Sequence, residues 1–161
     1  MSDFINKVVT IILIFVLLVM APLANKYMSD YAMAKREILN DTSSFIDKAV
    51  DDKTITGDDL NKFYGQCNSH GLAVDVTVTK LIRTVVPDIT TNDTTTVYYS
   101  TDVASDIAHS TATVKEESFN SNDIVKVSIQ EVGISTARRV IYNITKIDTG
   151  KFELDLAGGV K

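Results

Sequence analysis

The sequence predicts an α+β fold: a long N-terminal transmembrane helix followed by a small antiparallel-sheet domain. Three observations predict it. Val8–Ala24 reads VVTIILIFVLLVMAPLA, without a single charged side chain. From Tyr31 to Val50 apolar pairs recur with a helical period of about 3.5 residues. After Gly71, short stretches alternate apolar and polar residues, as half-buried strands do.

The first helix follows from the apolar run. At 1.5 Å per residue it spans roughly 26 Å, and Phe4, Ile5, Tyr27 and Met28 extend it toward the full thickness of a bilayer core of about 30 Å. A helix apolar on every face has no place in a water-soluble domain of this size. A cleaved secretory signal is the rival reading. Its cleavage chemistry is poor here, because Pro22 follows a cut after Ala21 and sits third before a cut after Ala24. The expected mature N-terminus is therefore Met1 or Ser2. Residues 3–50 read as one helix of about 70 Å, with Pro22 as its only breaker and a kink expected near the membrane exit. Beyond the membrane, Tyr31, Ile38 and Phe45 mark an apolar stripe, with Lys35, Arg36, Glu37, Asp41, Asp47 and Lys48 mostly opposite. A domain of about 110 residues cannot cover so long a helix, so much of the stripe is expected to meet partners, lipid or solvent. A chain beginning near Asn40 is expected to fold alone, since Phe63, Val76, Val127 and Leu154 lie beyond that point.

A second helix is expected after Thr56-Gly57-Asp58-Asp59, a capping box with Asp in place of Glu. Leu60, Phe63, Tyr64 and Cys67 share one face of it, and Gly71 stops it. Leu72, Val74, Val76 and Val78 alternate as a strand that continues less cleanly to Val86 and stops at Pro87. Residues 88–96 read as a polar loop, 97–99 as a short strand, and 100–122 as a loop with a strand near Thr111–Val114. Val125, Val127 and Ile129 form a strand ended by Gly133. Over 135–146, Ala137, Val140, Ile141 and Ile144 fit a helix capped by Ser135, while VIYNIT also suits a strand; the helix is preferred. Asp148-Thr149-Gly150 reads as a turn and Phe152, Leu154 and Leu156 as a last strand. The resulting organisation is an anchor over 1–26, a helical stalk over 27–50 and an extracytoplasmic domain over 51–161 with about three to five strands.

Composition excludes several functions. Of 161 residues, 16 are basic and 21 acidic, giving a net charge of −5. Lys35-Arg36 and Arg138-Arg139 are the only basic doublets, which is no footprint for nucleic acid. The single cysteine, Cys67, rules out an internal disulfide and reads as core. His70 lies in a polar helix end, and His109 has no Cys, Glu or second His at ligand spacing, so no zinc pattern is present. Asp52, Thr54, Thr56 and Gly57 imitate half of a calcium loop, but the position for the bidentate Glu holds Phe63. No G-x-S-x-G or glycine-rich phosphate loop occurs. The chain is expected to be neither an enzyme nor the carrier of a cofactor or metal.

Several segments resemble a known family. An apolar N-terminal helix with Pro22 and the stripe from Tyr31 to Val50 resembles the plan of pilin-like subunits. Phe45-Ile46, Ile55-Thr56, Leu60, Phe63, Val74-Asp75-Val76, Asp123–Ile129, Ser135-Thr136-Ala137-Arg138-Arg139 and Ala157-Gly158-Gly159-Val160 are similar to the TadE-like proteins of tight-adherence pilus systems of the Gram-positive type. Met1-Ser2-Asp3-Phe4-Ile5 carries neither the Gly or Ala nor the Glu of a classical prepilin processing site. The resemblance implies a minor pseudopilin, single-pass in the cell membrane with its C-terminal domain outside, passing into a cell-surface filament. Its partners would be membrane lipid and other pilin-like subunits, or itself, through the N-terminal helix. The residues implied for anchoring and assembly are Val8, Leu13, Phe15, Leu17, Pro22, Tyr31, Ile38 and Phe45. An anchored extracytoplasmic sensor or ligand-binding domain is the alternative.

Overall fold

The computed structural model of the chain describes residues 2–88, 93–110, 115–146 and 150–161. Helix α1 (Ser2–Phe15) passes through a π-helical turn (Val16–Met20) into α2 (Ala21–Asp52) without a break. The turn is the local answer to Pro22. A proline ring has no N–H for the carbonyl one turn back and crowds it, so the ladder widens just before it, with the Ala21 N–H reaching the Val16 carbonyl. Helix α2 ends at Lys53, which adopts a left-handed conformation with φ 56°, and the Lys53 carbonyl accepts from the Phe119 N–H at 2.8 Å.

Strand β1 (Thr54–Thr56) leads into α3 (Gly57–Ser69). The capping box forms as its sequence promises: the Thr56 hydroxyl accepts from the Asp59 N–H, and the Asp59 carboxylate accepts from the Thr56 N–H. The chain then runs through β2 (Val74–Asp88), β3 (Asp93–Asp102), α4 (Val103–His109), β4 (Glu116–Ser118), β5 (Ile124–Glu131), α5 (Thr136–Thr145) and β6 (Glu153–Gly159). One sheet has the order β3-β2-β5-β6, with all neighbours antiparallel, and β1 pairs with β4 apart from it.

Two sequence expectations give way here. Of the expected polar loop over 88–96 and short strand over 97–99, residues 88 and 93–99 are strand, and 89–92 lie outside the described residues. Strand β2 continues through Pro87, and Asp93–Asp102 is a full strand paired with it from Thr79↔Asp102 to Asp88↔Asp93. Polarity hid the strand, but Thr, Val and Tyr are strand formers whether buried or exposed. Pro87 is tolerated because β5 leaves β2 at Leu81, so the far stretch of β2 has one neighbour to satisfy. Within 100–122, Val103–His109 is helical rather than loop. Asp102 caps it, its carboxylate accepting from the Ala104 and Ser105 N–H groups. The strand expected near Thr111–Val114 lies outside the described residues, as do Asp148 and Thr149 of the expected turn. Over 136–145 the helix prevails, with the Ser135 hydroxyl accepting from the Arg138 N–H.

The sheet register aligns the inward side chains in rows: Val76–Ile129–Leu154, Val78–Val127–Leu156, and Lys80–Val125–Gly158. Helix α2 lies across this face. Its buried residues are Ala24, Tyr31, Ala34, Ile38, Thr42, Phe45, Ile46 and Ala49. Phe45 stacks on Phe63 of α3 with ring centroids 4.2 Å apart. Beside it, at the same end of the stripe, Ile46 and Val50 press on Gly158, where an added Cβ would overlap the Ile46 Cγ2 and lie 3.1 Å from the Val50 Cγ2. The stripe is therefore covered by the chain's own sheet. The expectation that much of the stripe meets partners, lipid or solvent is corrected for Tyr31 to Ala49: Tyr31, Ala34 and Ile38, all ahead of Asn40, belong to the same buried cluster as Val127 and Ile129.

Candidate functional site

The most distinctive surface is the first helix. Within Asp3–Asp52 lies one stretch long and apolar enough to cross a membrane, and almost none of it is buried by the rest of the chain. Val8, Leu13 and Phe15 are all exposed, Leu13 at 55%. The Leu17 backbone belongs to the π-helical turn, and its side chain lies outside the described residues. Pro22 sits in the first turn of α2. By length and composition this helix could cross a membrane.

Tyr31, Ile38 and Phe45 are placed differently. The Tyr31 hydroxyl donates to the Glu131 carboxylate at 2.8 Å, and the Lys35 ammonium stands 4.2 Å from the Tyr31 ring centroid. Ile38 is 0% exposed, and its carbonyl accepts from the Thr42 hydroxyl. Tyr31, Ile38 and Phe45 are thus all buried within the chain's own core.

Three polar clusters not read as such in the sequence tie α2 to the head and β2 to β4. Glu131 is buried and accepts from the Tyr31 hydroxyl, the Phe152 N–H at 3.1 Å and the Ser135 N–H at 3.3 Å. Burial pushes its carboxyl up, but these donors outweigh burial and hold it below the usual carboxylate value. His70 stands between two carboxylates of α2, Nδ1 being 2.9 Å from Glu37 and Nε2 2.7 Å from Asp41. The buried Lys80 ammonium meets Glu117 at 2.7 Å and the Ser118 carbonyl at 2.6 Å, tying β2 to β4. Lys80 and Glu131 had a readable signal: both are charged residues in register with the apolar positions of an alternating strand. His70 had none, because its partners lie in a different helix, Asp41 being 29 positions away in the chain.

Catalytic geometry does not assemble around these groups. The carboxylates at His70 face opposite ring nitrogens and so share no centre, and no group of three or more metal-ligating side chains forms among the described residues. Cys67 is fully buried, and burial, with the nearby Asp41 charge, pushes its thiol up to about 12, the reverse of an activated nucleophile. The His109 Nδ1 bonds to the Ser105 carbonyl of its own helix at 2.8 Å. The chain matches no protein family, no curated protein and no solved structure, so its own geometry carries the functional reading.

Proposed function

We propose that this protein is a structural, single-pass membrane component, a minor pilin-like subunit of the TadE-like type, held in the bilayer by α1 and the start of α2 with its sheet domain outside the cytoplasm. One observation carries the reading: an apolar helix exposed on every side runs unbroken into the helix that forms the core of the head. Such a helix is soluble in lipid and can pack equally well against similar helices. Moving it from bilayer to filament core replaces one apolar surrounding with another and costs little. Subunit contacts run through the exposed positions between Val8 and Leu23, since the later stripe is occupied by the head.

Cysteine crosslinking in cells tests this. Leu13→Cys or Leu18→Cys should give crosslinks to itself or to another pilin-like protein, in a protein that resists alkaline carbonate extraction. Ile38→Cys should give none. Carbonate release would remove the anchor. A protein that stays in the membrane without crosslinks at any position between Val8 and Leu23 would be a tether only, as for an anchored sensor.

A further inference from the structure

We infer that α5 is a membrane-surface helix: it lies against α2 where the apolar run ends and docks on anionic lipid headgroups of the bilayer that α1 crosses. The inference rests on the anchor reading above and deepens it. The position of α5 comes from its packing. Tyr31 is the α2 residue through which the end of the sheet is tied, its hydroxyl meeting Glu131 at the end of β5. Ala24 lies about 10 Å further down the helix, yet it is buried, unlike Ala21, Pro22 and Leu23 beside it. Helix α5 packs on α2, and Thr136 in its first turn lines one cavity with Tyr27, Asp30 and Tyr31. His70, Gly71 and Leu72 reach the same cavity, but α5 packs on α2 more extensively than any other element of the head, which places it at the head's end of the apolar run, the level at which hydrocarbon would give way to headgroups.

Its chemistry fits that level. The sequence TARRVIYNIT holds two arginines and no acid, in a chain of net charge −5. Ile134, Arg138, Arg139 and Tyr142 line a cavity of about 210 Å³; Arg138 is buried, and Arg139 is the exposed guanidinium of the pair. Ile134 and Tyr142 are exposed, as is Val132 just before the helix, and the Lys146 ammonium stands 5.8 Å from the Tyr142 ring centroid. Guanidinium groups pair with lipid phosphate, tyrosine prefers the interface, and an amphipathic basic helix gains from both anionic charge and shallow apolar burial. Asp30 is the acidic group at the Thr136 cavity, on the α2 side of the helix.

The chain has no tryptophan, so a single indole can be placed at will. Three full-length variants carry it in α1 (Phe15→Trp), in α5 (Tyr142→Trp) or in β3 (Tyr99→Trp). Each would be reconstituted in vesicles of phosphatidylcholine alone and of equal parts phosphatidylcholine and phosphatidylglycerol. The quenchers would be lipids brominated either near the headgroup or near the chain end. The α1 indole should be quenched by deep bromines in both vesicles. The α5 indole should be quenched by shallow bromines, about twofold more strongly with phosphatidylglycerol present, and the β3 indole by neither. Arg139→Gln with Lys146→Gln, added to Tyr142→Trp, should abolish the gain from phosphatidylglycerol; added to Phe15→Trp, the same pair should leave quenching unchanged. If the α1 indole is quenched while the α5 indole behaves like that in β3, the surface helix is overturned and the anchor stands. Quenching of the α5 indole that ignores phosphatidylglycerol, or a phosphatidylglycerol gain that survives the double substitution, overturns the anionic recognition. If the α1 indole itself is unquenched, the anchor fails and this inference fails with it.

Discussion

Ile38 and Leu39 are neighbours on one helix with opposite surroundings, and that contrast tests whether α2 is a core helix or a free stalk. Ile38 is 0% exposed and Leu39 is 42% exposed. Ile38→Ala removes methyl and methylene groups from a site closed by the sheet, where both the transfer term and the residual cavity count. Such changes cost about 2–5 kcal/mol, and complete burial places this one at about 3–4. Leu39→Ala strips atoms that already face outward, and a change of about 0.5 kcal/mol or less is expected. With a urea slope of about 1–2 kcal/mol per molar for a head of this size, Ile38→Ala should move the midpoint down by about 2 M. The assay is urea unfolding of the full-length chain in mild detergent, followed by the sheet signal in circular dichroism, with hydrogen exchange at Val127 and Ile129 as a local readout. If the two variants unfold together, or Ile38→Ala shifts nothing, the stripe does not pack on the sheet, and a partner-facing stalk is correct instead.

Further outcomes follow from single contacts. Gly158→Ala should destabilise the head by about 1–3 kcal/mol, because the new Cβ meets the β-branched Ile46 with no room to turn aside; thermal unfolding measures it. The Glu131 carboxyl is held below its ordinary value of 4.5 in the fold, so the stability it contributes is complete above that value and lost as pH falls through the lower folded one. Glu131→Gln should therefore be less stable than the parent at neutral pH and lose less on acidification from about pH 5 to about pH 3, as acid titration of the unfolding midpoint would reveal. Cys67 should resist alkylation in the folded protein at neutral pH and react once urea unfolds it, a result read by mass spectrometry. Leu13→Arg should impair insertion, at a cost of roughly 2.5–3.5 kcal/mol on translocon-based scales, and raise the fraction extracted by carbonate.

The readable parts of the sequence were those where one local rule dominates. The uncharged run, the Thr56–Asp59 capping box, the alternation Val125–Val127–Ile129 and the Ser135 cap each declare their element without outside help. What stayed hidden depends on neighbours. Thr94–Thr96 look like loop until β2 is laid beside them, and Pro87 looks like a stop until it is clear that β5 ends before reaching it. The length argument about the stalk failed for a geometric reason. A strand of the sheet advances more than twice as far per residue as a helix, so β5 and β6, with eight and seven residues, cover a long stretch of α2. Polar clusters such as Glu131 with Tyr31 span 100 positions in the chain, and no spacing rule reaches that far.

The continuity of the helix bears on how the molecule works as a structural part. From Leu23 to Asp52 there is no glycine and no proline, and the residues that fasten the head, Tyr31 through Ala49, lie within that stretch. No flexible linker separates anchor from head, so a force along the helix reaches the sheet directly, through Ile38, Phe45 and the contact of Ile46 with Gly158. The one irregularity, the π-helical turn before Pro22, lies inside the apolar run rather than in the stalk. The irregular turn that favours bending thus lies in the apolar run, ahead of the regular helix that packs on the head. A receptor that only needed tethering would tolerate a loose linker at residues 24–30. A subunit that must present its head at a set angle to its neighbours would not. Inserting a short glycine-serine segment between Ala24 and Asn25 should therefore leave membrane retention intact and abolish crosslinking through Leu13→Cys into ordered oligomers. Undiminished crosslinking after the insertion would show that the rigid connection is not used.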